Sequence, residues 1–172
     1  MKLPDTVLAE FKTTVELPAF DINKNGMVFN LSLEAKPSNS LSINSHGSIA
    51  IALKKMLERV ISIMSNLNPA WKVLHDLEYN LTSKDDYFRV KDARSAGLPL
   101  CIALINIFRQ LNGLDQIENF IGTGILRIDG SFNESSLEIQ KKQAVLQTDN
   151  GKKFVNSGAC QHVFDLANLM HC

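Results

Sequence analysis

Lys91-Asp92-Ala93-Arg94-Ser95-Ala96-Gly97-Leu98-Pro99-Leu100-Cys101-Ile102-Ala103-Leu104 is the stretch on which the reading of this chain turns. Polar residues and a glycine lead into an apolar run. Its spacing predicts a helix from Leu98 to about Leu111, with Leu98, Cys101, Ile102, Ile105, Phe108 and Leu111 on one face. Leu104 and Ile107 widen that face towards full burial. Pro99 is compatible with a helix only in its first turn, where the missing N–H costs least. Gly113 suits a positive-φ stop. Downstream, Gly122-Thr123-Gly124-Ile125-Leu126-Arg127-Ile128-Asp129-Gly130 reads as a strand over residues 121–128 and a tight Asp-Gly turn. A third helix, from Leu137 to about Leu146, carries Lys141.

Ser95-Ala96-Gly97 ahead of an apolar helix, Thr123-Gly124, and Lys141 at an ungapped distance from that pair together resemble the proteolytic domain of Lon protease. The serine segment of that family usually reads Lys-Asp-Gly-Pro-Ser-Ala-Gly. The resemblance spans roughly residues 20 to 170 and is most specific at Ser95–Leu104 and Gly122–Gly130. It implies an α/β (α+β) fold: a mixed sheet with an N-terminal β-meander, packed by three to four helices. It also implies serine–lysine peptidase chemistry, with Ser95 as nucleophile, Lys141 as general base and Thr123 beside the pair.

The chemistry sets its own demands. A serine hydroxyl is a poor nucleophile until a base removes its proton. Lysine serves as that base only where burial or neighbours bring its pKa from about 10.4 towards neutrality. Lys141 lies among Ile139, Ala144 and Val145, which allows it to point inward, while Lys142 shows the ordinary solvated alternative. Ser95 would stand at a turn, with helix-start N–H groups able to hold an oxyanion. The competing role for a serine there is a helix cap. The Thr123 hydroxyl could bond the lysine, and threonine equally suits the start of a strand.

The sequence also departs from the Lon pattern. Ala93-Arg94 stand where it has Gly-Pro, Ile125 where it has Glu, and Ser136-Leu137 where it has Gly-Gly. Glycines shape loops that side chains obstruct, and Arg94 puts bulk and charge beside the nucleophile position. No Gly-x-x-x-x-Gly-Lys-Ser/Thr loop, the phosphate cradle of an ATPase, occurs in the sequence.

The 172 residues suffice for one domain with a sizeable core. Eighteen basic residues offset eighteen acidic ones, so there is no electrostatic footprint for nucleic acid or an anionic membrane. The pairs Lys54-Lys55, Lys141-Lys142 and Lys152-Lys153 read as solvated surface. The first ten residues lack the apolar run of a signal peptide, and no stretch has the length of a membrane span. Cys101, Cys160 and Cys172 have neither metal nor disulfide spacing, which points to a reducing, cytoplasmic setting. His46, His75, His162 and His171 lack the spacing of a zinc site or a triad. No cofactor and no metal is expected.

The remaining elements follow from periodicity. Residues 1–19 read as an N-terminal arm or short helix with Val7, Leu8 and Phe11 on one side, and residues 20–172 as the domain. Strands are expected at Met27–Leu33 and Ser40–Ile43, separated by turn signals. Ile49 to about Leu67 is the strongest helix, with Ser45 or Ser48 as cap and Asn68-Pro69 as stop. Trp71 to Leu81 fits a strand with flanks or a short helix, and Tyr87–Val90 a strand end. Lys153–Val155 reads as a short edge strand and His162–Met170 as a closing helix.

Two functions are then in view. The altered motif loops favour a non-catalytic Lon-like adaptor, or a subunit of a larger bacterial assembly, that binds a protein or peptide partner. A homo-oligomer is compatible with that reading. The retained Ser95 and Lys141 favour an ATP-independent serine–lysine peptidase.

Overall fold

The computed structural model describes residues 10–84, 93–148 and 151–172. Its main sheet holds four strands, β1 (Phe11–Phe20), β2 (Gly26–Pro37), β3 (Ser42–His46) and β4 (Leu77–Thr82), in the order β1-β2-β4-β3. The fold is α+β and the sheet is mixed: β1–β2 and β2–β4 are antiparallel, β3–β4 parallel. β1 and β2 form a hairpin in register Val15↔Leu31. Its turn is knotted by Asp21, whose Oδ1 accepts from the Asn23 and Asn25 amides at 2.8 and 2.9 Å.

Two expectations change here. The segment read as an arm to residue 19 is strand β1 from Phe11 onward, and Val7 and Leu8 lie outside the described residues. Val15 and Leu17 are buried in the sheet because the strand alternates apolar and polar residues, a period-2 signal. The β-meander is also interrupted. β2 and β3 are not neighbours, because the chain crosses over from β3 and inserts β4 between them.

The crossover is α1 (Ser48–Leu67), the strong helix of the sequence. It buries Ile49, Leu53, Leu57, Val60, Ile61 and Met64 against the sheet. Neither Ser45 nor Ser48 caps it. Gly47 occupies the cap position at φ 95°, and Ser83, arriving from the end of β4, accepts the Ala50 amide at 3.2 Å. A β-carbon at position 47 would lie 2.3 Å from the Ser83 carbonyl oxygen, so a glycine is needed twice over. Asn68 ends the helix in extended conformation before Pro69 and accepts the Ala70 amide. Residues Pro69–Asp76 form a 3-10 segment that seats Trp71 and Leu74 in the core, and β4 follows. Burial raises the Tyr79 phenol well above its usual pKa; its hydroxyl donates to the Leu74 carbonyl at 2.7 Å. Tyr87–Val90, read as a strand end, lies outside the described residues.

α2 (Gly97–Leu111) packs along β1 and is buried from Gly97 through Ile107. Pro99 falls in its first turn, and Gly113 takes φ 73° just beyond its end. The strand expected over 121–128 is two: β5 (Phe120–Gly122) and β6 (Ile125–Leu126), broken at Thr123-Gly124. β6 pairs antiparallel with β7 (Phe132–Asn133). α3 (Glu138–Thr148) then packs on β1 and β2 near their hairpin end. β8 (Lys153–Val155) pairs parallel with β5, and α4 (Val163–Leu169) closes the fold. His162 and Asp165 cap α4 reciprocally.

Candidate functional site

The parts of the sequence that carry chemistry meet where α3 and the 123–135 segment close over the hairpin end. α3 has no continuous apolar stripe. Lys141, Ala144 and Val145 face inward, whereas Ile139 and Leu146 are exposed. Lys141 is 1% exposed, among the largest fully buried side chains. Taking an ammonium-bearing chain out of water is costly, so its polar end must be met. Nζ donates to Ser135 Oγ at 3.3 Å. Ser135 Oγ shares a 2.8 Å hydrogen bond with Thr123 Oγ1, in which either hydroxyl can donate. Nζ also lies 5.5 Å from the centroid of the Phe20 ring, within the reach of a cation–π contact. Thr123 and Ser135 are buried with it.

The hydroxyl pair is fixed from both sides. The Ser135 amide donates to Glu138 Oε1 at 3.0 Å, and Glu138 Oε2 accepts from Asn156 Nδ2 at 3.2 Å. Glu138 thus ties the start of α3 to the segment after β8. Leu137, between them, adopts φ 55°, a left-handed conformation that costs a branched residue about 1–2 kcal/mol. Thr123 follows Gly122, whose added β-carbon would sit 2.3 Å from the Val155 carbonyl oxygen, so only glycine lets β5 lie this close to β8. The Thr123 amide donates to that same carbonyl at 3.0 Å.

Ser95 lies in a 3-10 turn, Arg94–Ala96, immediately before α2, and is partly exposed. Its carbonyl accepts from the Gly124 amide at 3.3 Å, and the Leu98 amide donates to the Gly124 carbonyl at 3.1 Å. The serine turn is therefore pinned one residue from Thr123. Gly97 serves this contact: a β-carbon there would meet Leu126 at 2.8 Å. The Ser95 side chain does not cap α2. Among the described residues no hydrogen bond joins its hydroxyl to Lys141, whose Nζ donates to Ser135. The expected Thr123–lysine contact is indirect, relayed through Ser135.

Ser135, Glu138 and Phe20 are site residues that sequence reasoning missed. The first two carried a signal. Ser135-x-x-Glu138 has the spacing of a capping box, and the glutamate half of such a box is formed. The serine half is diverted: Ser135 Oγ goes to Thr123 and Lys141. Phe20 carried none, because its place depends on the hairpin lying under α3.

Other chemistries find less support. Burial raises the Cys101 and Cys160 thiols above their usual pKa, as it does Cys172, which disfavours the reactive thiolate. Among the described residues no group of three or more His, Cys, Asp or Glu side chains could hold a metal ion. No helix among them is long and apolar enough to cross a membrane. Compared with known proteins, the chain matches no family model and no curated protein.

Proposed function

We propose that the chain is a Lon-proteolytic-domain-like protein that does not use its serine–lysine pair, and that it acts by binding another protein, as an adaptor or a subunit of a larger bacterial assembly. One observation carries this reading: Lys141 Nζ is hydrogen-bonded to Ser135, itself tied to Thr123, and among the described residues no hydrogen bond joins it to Ser95. A general base has to reach the proton it removes, at about 3 Å or through one water. The Lon likeness is supported by the contacts Ser95 to Gly124 and Thr123 to Ser135 to Lys141, which link the three motif segments. It is also supported by Leu137, which keeps a positive φ where the Lon pattern has glycine.

A second reading has its own observation. Lys141 is withdrawn from water, the setting that a lysine base requires, and Ser95 is not occupied as a helix cap. That combination supports an ATP-independent serine–lysine peptidase. Incubating the protein with an unstructured substrate separates the two. The adaptor reading expects no cleavage. Turnover that disappears in both Ser95→Ala and Lys141→Ala would replace it with the peptidase.

A further inference from the structure

β1 is an edge strand, and its free edge is unevenly used. In an antiparallel pair, successive residues send their backbone groups alternately to the two sides. Lys12 sets the phase. Its amide donates to Gln110 Oε1 at 3.3 Å, and Gln110 Nε2 donates to its carbonyl at 3.0 Å, so these groups turn away from β2. Thr14 and Glu16 share that phase, and Pro18, which has no N–H to offer, takes the next such position, as suits an edge. No described residue pairs with the outward N–H and C=O groups of Thr14 or Glu16.

These groups open on a cleft of about 380 Å³, whose lining includes Thr14, Glu16, Pro99, Ile102, Ile117 and Phe120. The far wall is held as the near one is. The Ile117 amide donates to Asn106 Oδ1 at 2.9 Å, and Asn106 Nδ2 donates to the Ile117 carbonyl at 3.0 Å. Asn106 and Gln110 stand one turn apart on α2, each clasping the backbone N–H and C=O of one residue by its acceptor and donor together. Gln110 covers one end of the open edge, and the Glu16–Lys152 ion pair stands at the other. A side-chain amide presents the same N–H and C=O as a peptide group, so the Gln110 clasp is already a small instance of a second backbone meeting this edge.

We infer that the cleft takes an extended peptide segment of a protein partner, which adds a short strand to β1 at Thr14–Glu16. The unpaired backbone groups select an extended chain over a helix, whose own amides are satisfied. The lining, with Asn30, Asn106, Gln116 and Glu118 among its residues, favours polar side chains on the guest. This inference rests on the protein-binding reading above.

Reduced, carboxymethylated lactalbumin, a permanently unfolded chain, is a suitable probe. Fluorescence anisotropy reads binding, and amide hydrogen exchange by NMR reads where it occurs. In the bound state the Thr14 and Glu16 amides should exchange at least about tenfold more slowly. Thr14→Pro removes an N–H that the β1–β2 ladder does not use, and should weaken binding by a similar factor with the rest of the spectrum unchanged. The exchange measurement uses the unaltered protein and decides the matter even where Thr14→Pro does not fold. Binding without slowed exchange at Thr14 and Glu16 would overturn the cleft and leave the protein-binding reading standing. No binding at all would count against both.

Discussion

α2 buries leucine, isoleucine and cysteine on nearly every side, whereas α3 turns Ile139 and Leu146 to solvent and buries a lysine. In α2 composition decides: a helix apolar all round has nowhere else to go. In α3 the orientation is set from outside. Glu138 anchors its first turn through Ser135 and Asn156, and Gly26 lets it lie so close to β2 that a β-carbon there would come within 2.1 Å of the Gln140 carbonyl oxygen. The buried lysine is thus a consequence of where the helix is fastened. A helix that exposes isoleucine in order to bury lysine is not optimised for stability alone, and such exceptions gather at functional sites.

This contrast can be broken most decisively in the apolar helices. Leu53 of α1 and Ile105 of α2 are fully buried, so replacing either with alanine should cost about 2–5 kcal/mol in denaturant unfolding. Losses below about half a kcal/mol at both would contradict the core described here. Lys141→Met keeps an unbranched side chain one heavy atom shorter and removes its charge. If the lysine is retained for something other than stability, this variant should unfold within about 1 kcal/mol of the unaltered protein, or later. A loss comparable to Leu53→Ala would instead make Lys141 a structural keystone of α3. Ile139→Ser, on the exposed side of the same helix, should change stability by less than about half a kcal/mol.

The smallest effect concerns the β6–β7 turn. Asp129 accepts hydrogen bonds from the side chain and amide of Ser131, and these hold its carboxyl below the usual carboxylate range. Because the folded-state pKa is the lowered one, the contribution is present above the pKa of the unfolded chain and fades as pH falls through the folded value. The turn is exposed, so solvent screens the effect heavily. NMR titration of Ser131→Ala should show the Asp129 pKa moved back up; an unmoved midpoint would deny the hydroxyl its part.

How much of this was legible beforehand follows the same divide. α1 and α2 could be read from apolar spacing because their burial is written in their residue types. The sheet order could not. Whether β3 neighbours β2 depends on the crossover through α1, and strand periodicity carries no information about which strand arrives between two others. The 121–128 segment looked like one strand because its apolar residues run on, but Thr123-Gly124 bends it so that β5 faces β8 and β6 faces β7. At the site, the burial of Lys141 was one of two options open in the sequence. Ser135 was hidden because its hydroxyl leaves the capping role its spacing advertised. The Ser95 turn stands directly before α2, and Gly97 lets the backbone there lie close to Leu126.

The central claim is that Lys141 is engaged by Ser135 and does not activate Ser95. Treating the protein with a fluorophosphonate, which phosphonylates an activated serine with loss of fluoride, and weighing the intact chain tests this most directly. The account predicts no adduct in the unaltered protein, with Lys141→Met indistinguishable from it. A stoichiometric adduct mapped to Ser95, and absent from Lys141→Met, would contradict it and establish a working serine–lysine pair.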